Sequence, residues 1–115
     1  MRMKAMIVQP MAGKTEQEIM DARNRAKEQL EDIGYEVVNT LFDIDEDWAM
    51  ATGTVHIPVL YLGESLKAMS QCHAVYFCKG WETTRGCMVE HEAAMLYGLH
   101  KFYENVADRE EESHA

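Results

Sequence analysis

Glu90 follows Gly86 by four residues inside "KGWETTRGCMVEHEAAMLYG" (79–98). The stretch reads as the end of a strand, a polar loop, and a helix that Gly86 opens. One turn into that helix a carboxylate feels the positive end of the helix dipole, which predicts that Glu90 stays ionised at neutral pH. Ala93 and Ala94 lie one turn further along and predict free space above it. An ionised, positioned glutamate at a ligand-binding edge has the chemistry of a nucleophile toward a sugar carbon. The plainer reading makes Glu90 and Glu92 ordinary acids at a helix start. Arg85 also reads two ways: as a partner for Glu82 or Glu90, or as a cation that helps the free amides near Gly86 hold a phosphate. Trp81 and Tyr76 read first as core or edge packing, but Trp81 sits in a loop where an indole can stack on a base.

A second string, "QPMAGKT" (9–15), ends like a phosphate-binding P-loop. The pattern Gly-x-x-x-x-Gly-Lys-Ser/Thr requires its first glycine where Val8 stands. Pro10 removes a backbone N–H from a loop that would cradle phosphate with amides. These defects argue against an ATPase or GTPase. Thr15 is better placed as a helix cap, although a lysine beside a helix N-terminus still favours an anion at Lys14.

These groups must be positioned by one small domain. The chain has 115 residues, 47% of them apolar, which suits a single folded core. "KAMIVQP" (4–10) is a short apolar run stopped by proline and predicts a buried strand. Residues 15–34 predict a helix with a Thr15–Glu18 capping box, an apolar stripe of Ile19, Ala22, Ala26, Leu30 and Ile33, and a stop at Gly34. Residues 35–42 predict a second strand, and 43–57 a loop with a short helix near Trp48. Pro58 opens a helix to about Ser70 with Leu62, Leu66 and Met69 on its apolar face. Residues 73–80 predict a third strand, 81–85 a loop, 86–99 a helix, and 100–106 a short last strand. Strands alternating with helices predict a mostly parallel sheet of four to five strands with helices on both faces. Ligands bind such sheets at the carboxyl ends of the strands, where the loops 9–15, 43–57 and 79–86 meet.

Composition removes several functions. The net charge of −9, from 20 acidic and 11 basic residues, disfavours non-specific nucleic-acid binding. No apolar run approaches the roughly 18 residues of a membrane span, and the N-terminus lacks a signal-peptide pattern, so a cytoplasmic protein is expected. The segment 107–115, "ADREEESHA", is acidic without an apolar face and is expected to be a frayed or disordered tail to a domain of residues 1–106. Cys72, Cys78 and Cys87 include no CxxC pair, which speaks against disulfides and zinc knuckles. Cys87 and His91 share a helical spacing that could place two metal ligands on one face, but no recognised ligand pattern accompanies them, and no metal site is expected.

The combination "QPMAGKT", "GYEVVNT", "LGESLKAMSQCHAVYFCKGWE" and "RGCMVEHEAAMLYG" resembles the nucleoside 2-deoxyribosyltransferase-like superfamily, and within it the DUF4406 group. The resemblance runs from about residue 4 to 99. It implies a flavodoxin-like or Rossmann-like three-layer α/β fold and chemistry on the N-glycosidic bond of a deoxynucleoside or its monophosphate. It gives Glu90, four residues after Gly86, the role of nucleophile on the anomeric carbon. It places Thr83, Thr84 and Arg85 against sugar and phosphate, and Gln9, Pro10 and Met11 in the loop that closes over the sugar. The superfamily's aspartate at the start of the middle helix falls near Glu64 or Ser65, and Glu64 is the candidate to protonate the base. Thr83-Thr84-Arg85 stands where the transferases carry an aspartate, and His73 stands where another is usual. The resemblance further implies a homo-oligomer with sites near subunit interfaces, and no metal or organic cofactor.

Three functions follow. The first is an enzyme in which Glu90 attacks C1′, the base leaves, and the glycosyl group passes to water or another base. Its pocket walls would include Gln9 to Lys14 and Trp81. The second is a non-catalytic nucleotide-binding or sensing module, and the third an assembly protein with an idle pocket.

Overall fold

The computed structural model describes residues 2–104; the acidic segment 107–115 lies outside the described residues. Its elements run β1 (Met3–Val8), α1 (Glu16–Asp32), β2 (Tyr35–Val37), α2 (Glu46–Ala51), α3 (Ile57–Met69), β3 (Ala74–Phe77), a 3-10 turn (Trp81–Thr83), α4 (Arg85–Leu96) and β4 (His100–Tyr103). The four strands pair in parallel in the order β2-β1-β3-β4. This is the expected α/β architecture, with helices on both faces of the sheet.

Alternation along the strands builds two cores. Ala5 and Ile7 of β1 join Ala74 and Tyr76 of β3 against Ala26 and Leu30 of α1. Met6 and Val8 point the other way, with Val75 and Phe77, against Met69 of α3 and Cys87 and Ala94 of α4. The central pair β1 and β3 is therefore covered on both sides, which is why both strands are almost continuously apolar. The chain leaves β1 toward one face and β3 toward the other. The carboxyl ends of β1 and β3 thus flank a topological switch point.

Local chemistry explains the element ends. Thr15 Oγ1 accepts from Glu18 N at 3.1 Å while Glu18 Oε1 accepts from Thr15 N at 2.9 Å, the expected capping box. Gly34, with φ of +94°, takes the left-handed turn that ends α1. Ile33 is exposed rather than part of the buried stripe, because it lies past the last helical residue. β2 is shorter than the predicted 35–42 strand. Val38 N still bonds Ala5 O at 2.8 Å, but Asn39 Oδ1 then accepts from Leu41 N at 2.9 Å and turns the chain away from the ladder. The predicted short helix near Trp48 is α2, capped by Asp45 Oδ1 on Trp48 N at 3.0 Å. Pro58 stands in the first turn of α3. Among the described residues no helix is long and apolar enough to cross a membrane.

Candidate functional site

A cleft of about 440 Å³ opens at the carboxyl edge of the sheet, on the α3–α4 face. The loop after β1 supplies Gln9, Met11 and Ala12, and the segment after β2 supplies Thr40, Leu41 and Phe42. Pro58, Tyr61, Leu62 and Ser65 come from one face of α3, and Thr84, Gly86, Cys87 and Glu90 from the start of α4. Of the residues predicted to bind or act, the structure gathers Glu90, Gln9, Met11, Thr84 and Gly86 around this one space.

Glu90 differs from expectation in its charge. Burial pushes its carboxyl up to about 7, so it is part protonated at neutral pH rather than held ionised. The dipole argument fails here because Glu90 is the sixth residue of α4, beyond the first turn where the helix field is strong. Ala93 and Ala94 do not open space over it either. Ala94 is fully buried against the sheet and Ala93 packs beside it. The room over Glu90 comes from the loops after β1 and β2.

Two neighbours complete its surroundings. Burial also pushes up the Cys87 thiol, and the Glu90 charge adds to the effect, so Cys87 is a protonated wall and not a thiolate nucleophile. Thr84 precedes α4 as its N-cap, yet its side chain makes no capping bond. Its Oγ1 is shut off from solvent and, among the described residues, makes no well-formed hydrogen bond, although the Cys87 thiol lies near enough to feel it. A buried hydroxyl left in this state beside a cleft becomes a contact for a bound hydroxyl or oxyanion once the wall moves to expose it.

Other predicted residues go elsewhere. Glu64 is absent from the cleft wall. Tyr61, Leu62 and Ser65 share the facing side of α3, and Glu64 is turned about a quarter of the way round the helix from Ser65. Gln9 lines the cleft, but its amide is already committed: Nε2 donates to Ile19 O and Oε1 accepts from Arg23, both at 3.0 Å. Pro10 is buried and, with Lys14, faces a separate cleft of about 450 Å³ on the α1 side, together with Arg25, Lys79 and Glu104. Arg85 lines a neighbouring groove with His56, Val59 and Val89, joined to the main cleft through Pro58, Leu62 and Gly86. Thr83 Oγ1 donates to Gly80 O at 2.6 Å in the 3-10 turn and lines none of these clefts.

Trp81 is packing rather than a platform for a base. Its ring stacks on His91 at 4.0 Å and tilts against Phe77 at 5.5 Å. His91 therefore points into an aromatic cluster while Cys87 lines the cleft, so the two do not share a ligand position. Among the described residues no group of three or more His, Cys, Asp or Glu could hold a metal ion.

The sequence reading missed Thr40, Leu41, Phe42 and Tyr61. The pattern of 35–42 predicts a strand for the first three, where Asn39 instead starts a turn. Tyr61 donates to Glu46 Oε2 at 2.7 Å and ties α3 to α2, a contact between segments with no local signal. It also missed Arg23, a cation on the buried face of α1. Comparison with curated proteins and with solved structures gave no match. The model of the family described as Domain of unknown function (DUF4406) matches residues 3–103, and the chain belongs to that family.

Proposed function

We propose that the Glu90 cleft breaks, or transfers across, the N-glycosidic bond of a 2′-deoxynucleoside or its monophosphate, as the resemblance to the nucleoside 2-deoxyribosyltransferase-like superfamily implies. The observation that carries this reading is a partly buried glutamate in a cleft at the carboxyl edge of the sheet, with the unbonded Thr84 hydroxyl on the same wall. Glu90 in its ionised form attacks C1′, forming a glycosyl ester as the C1′–N bond breaks and the base departs with the bond electrons. Water or a second base then attacks C1′ and releases the carboxylate. Met11, Leu41 and Phe42 offer apolar contact area for a base, and Thr84, once its hydroxyl is exposed to the cleft, a contact for the sugar. Exposed Val59, Val89 and Leu96 on α3 and α4 support the further part of the reading, a homo-oligomer with sites near its subunit interfaces.

The second reading is a nucleotide-binding module without turnover. It is favoured by one observation: among the described residues Glu90 is the one carboxylate on the cleft wall, and none of them offers a second acid there to protonate the base. Incubation with deoxynucleosides and deoxynucleoside monophosphates, with and without a free acceptor base, separates the two. Chromatography should find released or exchanged base, lost in Glu90→Ala. Tight binding with no release from any substrate establishes the module instead. Release that survives Glu90→Ala removes the nucleophile assignment.

A further inference from the structure

Arg23 is only 7% exposed, yet among the described residues no Asp or Glu oxygen lies within ion-pair distance of it. Burial works against its charge, but a guanidinium keeps its proton at neutral pH. Holding an unpaired cation inside a small domain is costly, and an apolar side chain of similar reach would fill the same space more cheaply. What the cation does in return is specific. Nη1 donates to Gln9 Oε1 and Nη2 to Thr40 Oγ1, both at 3.0 Å, and Thr40 Oγ1 lies 3.3 Å from Ile7 O. Gln9 follows the last residue of β1, and Thr40 follows the point where β2 leaves the ladder. Both are in irregular backbone that sheet pairing no longer holds, and both line the Glu90 cleft.

We propose that Arg23 is the positioning residue of the Glu90 cleft: its planar fork joins the loop after β1 to the segment after β2 and so fixes the wall that screens the carboxyl from water. A lysine could reach one of the two acceptors but could not bridge both as a flat fork does. The claim concerns the cleft's geometry. It rests on the proposed function only where turnover is measured.

The test reads the Glu90 carboxyl by ¹³C NMR titration in wild type, Arg23→Met, Arg23→Lys and Thr40→Val, beside thermal melts. The titratable groups on the cleft wall are Glu90, Cys87 and Tyr61, and none is altered by these changes. Arg23→Met removes a buried charge but leaves Gln9 Oε1 and Thr40 Oγ1 without their donor, two opposing effects, so the melts serve to show that the variant is folded. In the folded variant the wall loosens, water reaches Glu90, and its titration midpoint falls by about one unit or more toward the ordinary carboxylate value. Arg23→Lys and Thr40→Val should fall less. Loss of the positive charge by itself would move the midpoint upward, so the sign separates positioning from electrostatics. A midpoint unchanged or raised in the folded variants overturns the proposal. Should Arg23→Met not fold, Arg23→Lys and Thr40→Val decide by the same criterion. Where wild type releases base, kcat/KM per folded Arg23→Met should drop about tenfold or more. Absence of release in wild type counts against the proposed function alone, since the titration needs no substrate.

Discussion

The Trp81 and His91 rings stack 4.0 Å apart with 19° between their planes, and His91 Nε2 lies 2.6 Å from the Tyr103 hydroxyl oxygen. The stack ties the turn after β3 to α4 and, through Tyr103, to the edge strand β4. Burial and then the Lys101 charge lower the His91 pKa, with Glu92 and Glu82 opposing. Because the folded value lies below the unfolded one, the unfolded chain takes up the proton first. The neutral-His91 contribution is therefore present above the unfolded value and is lost as pH falls through the window below it. In a Trp48→Phe background, Trp81 fluorescence should be quenched on acidification with a midpoint below the ordinary histidine value of about 6.5. A midpoint at or above that value contradicts the burial described here.

Glu90 gives the opposite slope. Its folded value of about 7 lies above the ordinary carboxylate value, so the folded chain holds a proton that the unfolded chain has lost. Stability should decline as pH rises from about 4.5 to 7 and level off above, by an amount on the order of 3 kcal/mol at most. Glu90→Gln should flatten this part of the profile and be the more stable protein at pH 8. Urea melts across pH measure it. If the carboxylate is the nucleophile, kcat for base release should rise through pH 7 to a plateau; a fall with rising pH would assign Glu90 the role of an acid.

Thr84→Val replaces a buried, unbonded hydroxyl by a methyl of the same shape. Removing an unsatisfied group should leave stability within about 1 kcal/mol of wild type, or improve it. Affinity for a deoxynucleoside should fall by a factor of about ten if the hydroxyl contacts the sugar. Calorimetric titration on both proteins shows whether the loss is confined to binding.

Gly80 and Gly63 should respond in opposite directions to alanine. Gly80 has φ of +92°, and a Cβ there would approach Pro10 Cγ to 3.3 Å. Gly80→Ala should cost about 1–2 kcal/mol and displace the loop after β1. Gly63 lies within α3 with nothing inside 4 Å of a new Cβ, so Gly63→Ala should stabilise by about 0.5–1 kcal/mol. Denaturant midpoints of the pair test both signs.

Thr15→Ala removes the hydroxyl that caps α1 but keeps the backbone N–H of residue 15 that donates to the Glu18 carboxylate, so half of the capping box survives. The expected loss is about 1 kcal/mol. Burial of the Thr15–Glu18 pair is slight, so a larger loss in urea unfolding would mean that the cap also holds the loop after β1.

The legible parts of this protein are those with a short-range physical cause. A capping box needs two residues three apart, and Thr15 and Glu18 announce α1. The apolar runs of β1 and β3 follow from burial on both faces, and their order with the helices implies a parallel sheet. Glu90 and Gly86 could be placed at the same edge because successive strands must deliver their loops there. Where the reading failed, a long-range contact outweighed the local rule. Glu90 lies beyond the turn where the helix field is strong, and burial by loops distant in sequence set its proton instead. The facing side of α3 took Ser65 and left Glu64 out.

What the sequence alone determined is the alternation of elements, the caps and turns that end them, and the family to which the chain belongs, since each depends on residue type and spacing along one segment. What only the tertiary structure decided is the environment of each polar group: the proton on Glu90, the commitment of the Gln9 amide, the division of Lys14 from Glu90, and the bridge from Arg23 to Gln9 and Thr40. Those depend on desolvation and on hydrogen bonds between segments whose distance in space no local spacing encodes.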